Sequence, residues 1–217
     1  MSIWTIVVAA GGGERFGAPK QFVPLAGAPI IDRSVATARR ASDGVVVALP
    51  AACAHDWKAP GADVHTVAGG ATRSASVRAA LAAVPPDAEI VVVHDAARPL
   101  ASPVLFAAVI AAVRAGADGA VPGAAVTDTV KRVVDGVVTG TVARDELVVV
   151  QTPQAFRAAT LRAAHETAHD NGRDATDDAA LVESIGGHVV VVAAEPRNVK
   201  ITTPADLELA AMLLDAP

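Results

Sequence analysis

The amino-terminal apolar run constrains the fold of this chain more than any other feature. Residues Ile3 to Ala10 form a continuous apolar stretch, typical of a strand buried on both faces, and it stops at three consecutive glycines, Gly11 to Gly13. Glycine backbone leaves several N–H groups free to point at an anion, and two cations, Arg15 and Lys20, follow closely. The stretch predicts a phosphate-binding loop, with a glycine-rich turn that holds no ligand as the alternative.

This loop matches neither of two well-known phosphate-binding patterns. A Walker A loop requires lysine directly after its second glycine, but Gly17 is followed here by Ala18. The dinucleotide-binding fingerprint requires a glycine or alanine where this chain has Phe16. The sequence therefore predicts a third kind of phosphate loop.

The composition favours one compact domain over residues 1–217. The chain is 52% hydrophobic and only 19% charged, which excludes extensive disorder and fits an α/β protein. Its formal net charge of −5 argues against a nucleic-acid partner, so cations for a phosphate ester must be gathered locally. The one cysteine, Cys53, is compatible with a reducing compartment, and the first residues predict neither a signal peptide nor a membrane span. We therefore expect a cytoplasmic protein without a membrane partner.

Short runs rich in Val and Ile alternate with helical patterns along the chain. The expected strands are 3–10, 45–49, 64–67, 90–93, 119–122 and 188–192. The expected helices are 30–41, 74–84, 102–116, 157–170, 177–185 and 203–214. Ser102 and Pro103 fit an N-cap followed by a proline in the first helical position. This alternation predicts a doubly wound α/β domain of three layers, with its ligand outside the carboxyl ends of a mostly parallel sheet.

Residues 126–150 break this alternation. They show period-two alternation around an Asp135-Gly136 turn, with no helix between the strands. The pattern predicts a protruding β-hairpin arm. Because a hairpin of this length is marginal alone, we expect it to pack on a second copy of the chain.

Asp95 directly follows an expected buried strand, where α/β sheets present metal ligands. A carboxylate beside triphosphate oxygens would be repelled unless a divalent cation lies between them, so Asp95 implies Mg²⁺ if the ligand is a nucleotide. The alternative is that Asp95 caps the turn or pairs with Arg98.

A second glycine-containing loop precedes an expected helix. Gly69 and Gly70 open it, and its backbone could read a base edge or hold a hydroxyl, with a further hydrogen bond from Ser76. An ordinary helix start explains the same pattern.

Several other polar residues have two interpretations. Lys200 lies between Val199 and Ile201, which should be buried, so its ammonium needs an anionic partner or a path to water. For Arg144 a solvated position or a pair with an adjacent acidic residue is favoured. The pair His165 and His169 predicts an exposed helix face and not a metal site.

Seven motifs together resemble the 2-C-methyl-D-erythritol 4-phosphate cytidylyltransferase family. In chain order they are GGGERFGAPKQ, GGATRSASV, VHDAARP, TDTVKR with TVARD, QTPQ, TDDA and NVKIT. They extend from residue 9 to about residue 206, nearly the whole chain. The resemblance implies a Rossmann-like nucleotidyltransferase domain, a homodimer that exchanges β-arms, and Mg²⁺-dependent formation of a CDP-alcohol with release of pyrophosphate.

The resemblance also implies roles for individual residues. Arg15 and Lys20 would stabilise charge on the α-phosphoryl group, Arg144 and Lys200 would orient the attacking phosphate, and Asp95 would lie near the metal. The residues expected to hold the cytidine and phosphates are Ala9, Ala10, Gly11, Gly70 and Ser76. Arg98, Thr152 and Lys200 would line the active site. Thr129 and Arg144 would come from the partner's arm to hold the methylerythritol phosphate. The segment from Gly13 to Lys20 is shorter than in many relatives.

The expected acceptor explains why the sequence shows no catalytic histidine or nucleophile motif. A phosphate monoester with a second pKa near ~6 is already largely dianionic at neutral pH and needs no general base. Three alternatives remain: a cytidylyltransferase for another polyol phosphate such as ribitol 5-phosphate, a nicotinamide-dependent oxidoreductase, and an inactive regulatory or assembly protein. The absence of the dinucleotide-binding fingerprint argues against the oxidoreductase. The presence of all the expected cations argues against the inactive protein.

Overall fold

The computed structural model describes residues 1–13, 16–53 and 57–215. The strands are β1 (Ile3–Val8), β2 (Pro24–Leu25), β3 (Ala28–Pro29), β4 (Gly44–Leu49), β5 (Val64–Ala68), β6 (Ile90–Asp95), β7 (Gly119–Ala125), β8 (Val130–Val134), β9 (Val137–Val142), β10 (Val148–Val150), β11 (Gln154–Arg157) and β12 (Val189–Ala193). The α-helices are α1 (Ile30–Ala41), α2 (Arg73–Leu81), α3 (Pro103–Arg114), α4 (Ala158–Asp170), α5 (Asp178–Ser184) and α6 (Pro204–Asp215). None of these helices has the length and apolar character needed to cross a membrane.

The central sheet is mostly parallel. Its strands follow the order β10, β7, β11, β6, β1, β4 and β5, and β12 also pairs with β7. The pairs among β1, β4, β5 and β6 are parallel, as is β12 with β7, whereas β10 and β11 run antiparallel to their neighbours. The predicted α/β class with a mostly parallel sheet is confirmed.

Alternate residues of the central strands face two different helical layers. In β4 every residue is buried. Val45 and Val47 belong to the apolar cluster that includes α1 and α3, while Val46 and Ala48 belong to the cluster that includes α2, α4 and α5. Fully burying such an aliphatic side chain is worth about 1.5–3 kcal/mol, so a strand that is apolar at every position gains on both faces. The strands are continuous apolar runs in the sequence because helices cover both faces of the sheet.

The six expected strands and six expected helices lie within a few residues of observed ones, but the two-residue strands β2 and β3 and the central strand β11 were not predicted. Strand β11 contains only two apolar residues, Ala155 and Phe156, between polar ones, so it gives no apolar run. Ser102 caps α3 as predicted, with its hydroxyl oxygen accepting from the Leu105 N–H at 3.1 Å.

The predicted arm is a hairpin, but its last three residues belong to the central sheet. Strands β8 and β9 pair around Asp135 and Gly136, whose φ values of 48° and 80° fit the predicted Asp-Gly turn. Residues 148–150 form β10 and pair with β7, where Val148 lies opposite Ala125. The arm therefore leaves and re-enters the sheet beside the same strand. The exposed valines of the β8–β9 hairpin are Val133, Val134, Val137 and Val138.

A small hairpin of β2 and β3 covers a third apolar cluster. The buried members of that cluster are Leu25, Ile30, Ile201 and Ala210. Arg33 clamps the hairpin turn by donating to the carbonyls of Leu25 at 2.8 Å and Ala26 at 2.7 Å. Ala26 has a φ of 45°, a left-handed conformation that costs a residue with a Cβ about 1–2 kcal/mol.

We expect Ala26→Gly to raise the free energy of unfolding by about 0.5–1 kcal/mol, because the strain relieved exceeds the extra chain entropy of glycine. Urea denaturation measures this change. The matched control is Ala36→Gly on the exposed side of α1, which should lower the free energy of unfolding by about 1 kcal/mol. A loss of stability in Ala26→Gly would contradict the strain argument.

Candidate active site

The loops after β1, β5 and β6 meet at the carboxyl edge of the sheet. Val8 lies beside Asp95 in the register of β1 and β6, and the Ala96 N–H donates to the Val8 carbonyl at 3.0 Å. The Gly69 N–H donates to the Leu49 carbonyl at 2.7 Å. Parallel strands thereby bring three segments that are distant in sequence to one edge.

Two adjacent cavities of about 400 and 240 Å³ open at this edge. Among the predicted site residues, those that line the larger cavity are Ala9, Ala10, Gly11, Lys20, Gly70, Ser76, Asp95 and Lys200. Those that line the smaller cavity are Asp95, Arg98, Thr152 and Lys200. Arg73, Asp95 and Lys200 border both cavities. The structure thus brings these residues together, while the roles assigned to them stay predictions.

The Gly70 loop is held by its own helix. Ser76 Oγ donates to the Thr72 carbonyl at 2.8 Å and accepts from the Gly70 N–H at 3.1 Å. A Cβ added at Gly69 would lie 2.3 Å from the Cβ of Ala10, so the two glycine loops touch. Ser76 therefore shapes the wall of the larger cavity through the backbone.

Asp95, at the end of β6, is a buried carboxylate held by two cations. Lys200 Nζ donates to its Oδ2 at 2.6 Å, and Arg73 Nε donates to its Oδ1 at 3.3 Å. Burial acts to raise the pKa of Asp95, but the charges of Arg73 and Lys200 outweigh it and hold the pKa well below its usual range. Asp95 is therefore ionised at neutral pH. The expectation that Lys200 needs an anionic partner or a path to water is confirmed, because its side chain pairs with Asp95 and is also 42% exposed.

Arg98 does not pair with Asp95, which was one of the alternatives from sequence. Its Nη1 donates to the Asn198 carbonyl at 2.8 Å. Arg98 Nε and Arg73 Nη2 are buried and find no acceptor within the described part of the chain. A buried donor without an acceptor costs about 1–3 kcal/mol, which an anionic ligand accepting from it would offset. Both guanidinium groups therefore favour an anion in the smaller cavity that they border.

Lys20 reaches the larger cavity from the opposite end of the sequence. It begins a short 3₁₀ turn, Lys20–Phe22, and its Nζ donates to the Ile201 carbonyl at 2.7 Å. Ile201 directly follows Lys200, so this hydrogen bond holds the segment of Lys20 beside the segment of Lys200. Both lysines line the larger cavity.

His94 and Thr152 support Asp95 from behind. His94 Nε2 lies 3.2 Å from the Arg98 carbonyl, which can only accept, so this nitrogen carries the proton. Nδ1 then accepts from the Thr152 hydroxyl at 3.2 Å, and Thr152 Oγ1 accepts from the Asp95 backbone N–H at 3.0 Å. Burial lowers the pKa of His94 to about 4, so the ring stays neutral. The Thr152 hydroxyl is thus committed to the backbone of Asp95.

A buried charge cluster behind Arg73 was not predicted from the sequence. Arg73 Nη1 donates to Asp178 Oδ2 at 2.7 Å, and Asp178 Oδ1 lies 2.9 Å from His165 Nε2. The prediction of an exposed face for His165 is wrong, because its side chain is only 3% exposed. The available signal was helical spacing, since His165 falls on the buried stripe of α4. That stripe comprises Leu161, Ala164 and Ala168.

Of the three remaining predicted site residues, one is not described by the structure and two lie away from both cavities. Arg15 is outside the described residues. Thr129 and Arg144 are exposed on the arm and border neither cavity of their own chain. The Arg144 guanidinium donates to the Thr127 carbonyl.

Comparisons with known proteins find matches over nearly the whole chain. A family model described as 2-C-methyl-D-erythritol 4-phosphate cytidylyltransferase matches residues 3–216. A Nocardia farcinica protein of that name is 46% identical over 222 residues, covering 99% of this chain and 94% of the relative. The crystal structure of the Thermus thermophilus protein of that name has a TM-score of 0.84 at 36% identity, covering 97% of this chain and 98% of that one. A Nitratidesulfovibrio vulgaris protein named bifunctional enzyme IspD/IspF is 46% identical over 226 residues and covers 96% of this chain, which spans only 57% of that relative.

The buried neutral state of His94 predicts a pH-dependent loss of stability. Its folded pKa of about 4 lies below the ordinary value of 6.5, so below pH 6.5 the unfolded chain takes up a proton that the folded chain refuses. Stability should fall by up to about 3 kcal/mol between pH 6.5 and pH 4 from this group, and His94→Gln should flatten that part of the profile. Urea denaturation across this range tests it. The control His169→Gln, at an exposed position of α4, should keep the wild-type slope.

Proposed function

Since this chain belongs to the 2-C-methyl-D-erythritol 4-phosphate cytidylyltransferase family, we propose that it transfers a cytidylyl group from CTP to 2-C-methyl-D-erythritol 4-phosphate. The products are the CDP-linked polyol and pyrophosphate, and the reaction serves the non-mevalonate route to isoprenoid precursors. The composition and the lone cysteine support a cytoplasmic enzyme.

One observation supports this reaction above others: the shared wall of Arg73, Asp95 and Lys200 between the two cavities. The larger cavity is bordered by two glycine loops and two lysines, which suits a nucleotide and its phosphates. The smaller cavity is bordered by Arg73, Arg98 and Lys200, which suits a small phosphorylated polyol. Transfer between two ligands requires that they meet at one boundary carrying cations.

The residues of the site act by placement and charge. The acceptor phosphate attacks the α-phosphorus of CTP, a new P–O bond forms, and pyrophosphate leaves with the electron pair of the broken bond. The dianionic acceptor needs no base, so the work is to hold two anions together and to neutralise the leaving charge. We assign the neutralisation of charge on the phosphoryl group to Lys20, and the orientation of the attacking phosphate to Lys200. The family resemblance assigns Arg15 the same task as Lys20. The neutral His94 is consistent with a site in which no proton is relayed.

The donor set at Asp95 fits Mg²⁺. Asp95 is ionised and borders both cavities, and Mg²⁺ is commonly held by one or two carboxylates together with substrate phosphates and water. Each carboxylate oxygen has two lone pairs, so the contacts to Arg73 and Lys200 leave acceptor capacity. When bound, the metal would neutralise phosphate charge, and Asp95 would hold it.

We also propose that the chain acts as a homodimer through the arm. Thr129 and Arg144 border neither cavity of their own chain, and the arm carries exposed valines that a partner could cover. An arm reaching a second copy would bring both side chains to the partner's acceptor cavity.

The activity test uses purified protein, CTP, Mg²⁺ and a panel of polyol phosphates, with pyrophosphate release as the readout. We expect turnover with 2-C-methyl-D-erythritol 4-phosphate and little with ribitol 5-phosphate. In the same assay Lys20→Ala should lower kcat on the order of a hundredfold, because a cation is removed from the developing charge, with a much smaller loss of CTP affinity by calorimetry.

The control for this variant is Lys58→Ala, which removes an exposed lysine away from both cavities and should keep wild-type kinetics. Unchanged turnover in Lys20→Ala would remove Lys20 from the mechanism. Turnover with ribitol 5-phosphate alone would establish the alternative acceptor, and no turnover with any acceptor would favour a regulatory protein on this fold.

Arm exchange predicts complementation between two inactive chains. A heterodimer of Lys20→Ala and Arg144→Ala chains, isolated through two different tags, has one doubly altered site and one intact site. It should show about half of the wild-type turnover, whereas each parent homodimer stays nearly inactive. A heterodimer as inactive as its parents would show that Arg144 serves its own chain.

A further inference from the structure

Arg73 belongs to the shared wall and is also bonded to a carboxylate outside both cavities. It is the first residue of α2, and its guanidinium bridges Asp95 at 3.3 Å and Asp178 at 2.7 Å. Asp178 borders neither cavity. The arginine therefore links the wall of the site to the interior of the protein.

The interior end of this link is deeply buried. The side chains of Asp178 and His165 are 1% and 3% exposed, and they lie 2.9 Å apart. Burial acts to raise the pKa of Asp178, but the contacts with His165 and Arg73 outweigh it and lower the pKa, so Asp178 is an ionised anchor. Both of its oxygens are used, one by each neighbour.

The geometry indicates which contact fixes Arg73. The bond to Asp178 is shorter than the bond to Asp95, and its anchor is the more buried carboxylate. A second hydrogen bond ties the same helix start to the segment before α5, from Ser74 Oγ to the Ala175 carbonyl at 3.3 Å. Asp178 thus fixes the Arg73 side chain from the interior, and this fixes the position from which the Arg73 Nε–H donates to Asp95.

A buried ion pair contributes little net stability compared with an apolar pair of the same size, because desolvation offsets the attraction. The ion pair of Arg73 and Asp178 is therefore explained better by the position it gives to the Arg73 side chain than by a contribution to folding stability. Asp95 needs such placement, since its carboxylate must face both cavities at once.

We propose that Arg73 is a positioning residue, anchored by the Asp178 and His165 pair, that sets the direction of the Asp95 carboxylate at the boundary of the two cavities. The inference rests on the proposed cytidylyl transfer for its kinetic consequence, but its structural consequence is independent of that reaction. Asp178 and His165 then affect catalysis without touching either substrate.

The kinetic test is a double-mutant cycle of Asp178→Asn and Arg73→Gln. Asp178→Asn keeps the shape of the side chain but removes the charge that holds Arg73, so kcat should fall about tenfold while KM for CTP changes less than about threefold. In the Arg73→Gln background the same substitution should lower kcat less than about twofold, because the link is already broken. Equal losses in both backgrounds would overturn the proposal, since a purely structural role gives additive effects.

The control variant is Asp118→Asn, which alters a carboxylate paired with Arg157 at 3.7 Å before the amino end of β7, at the opposite edge of the sheet. It should keep wild-type kcat, and the thermal unfolding midpoint of every protein is measured so that assays are run with folded enzyme.

Crystal structures of the wild-type and Asp178→Asn proteins give a second readout that needs no activity. We expect the Asp95 carboxylate to adopt a different rotamer when Arg73 loses its anchor. Unchanged positions of Arg73 and Asp95 would overturn the proposal even if kcat fell. If the wild-type protein transferred no cytidylyl group, the proposed function would fail, while this comparison would still decide the role of Arg73.

Discussion

The carboxylate of Asp95 at the end of β6 is the constraint around which the site is built. A charge placed at the end of a buried strand must be compensated, and here two cations from distant parts of the chain, Arg73 and Lys200, supply the compensation. Those same cations border both cavities. Because the buried carboxylate of Asp95 must be compensated, two cations are brought to the place where a reaction between two phosphorylated ligands would need them.

The support behind Asp95 is neutral and fully hydrogen-bonded. His94 keeps one tautomer because a carbonyl faces its Nε2, and Thr152 passes the constraint to the backbone of Asp95. A neutral ring at this position adds rigidity without adding a second positive charge to the two already present. The charged wall and its uncharged backing thus have separate tasks.

Local sequence patterns are sufficient for most of the fold and for part of the site. The apolar runs of β1, β4 and β6, the Ser102 cap and the Asp135-Gly136 turn all depend on neighbouring residues, and all are found where the sequence predicts them. Lys200 is recognisable because a lysine between apolar residues needs a partner. The glycine loops are recognisable as loops, although nothing in their sequence says which loop they touch.

Features that depend on long-range contacts are not predictable in the same way. The bond of Arg73 to Asp178 joins residues 105 apart, and β11 exists because β6 and β7 flank it. The prediction for His165 was wrong because its polarity suggested solvent, although its helical spacing put it with buried residues. The Arg73 bond and β11 depend on pairing in the folded chain, which no local sequence pattern encodes, whereas for His165 the helical spacing carried the correct signal.

The antiparallel direction of β11 has a structural consequence. Its amino end starts beside the carboxyl end of β6, so the chain returning from the arm through β10 runs straight into the wall of the smaller cavity, which includes Val150, Gln151 and Thr152. Within the described residues, this returning segment adds nothing to the wall of the larger cavity. The arm is therefore connected directly to the wall of the smaller cavity and, through the hydrogen bond of Thr152 to the Asp95 backbone, to the boundary that the two cavities share.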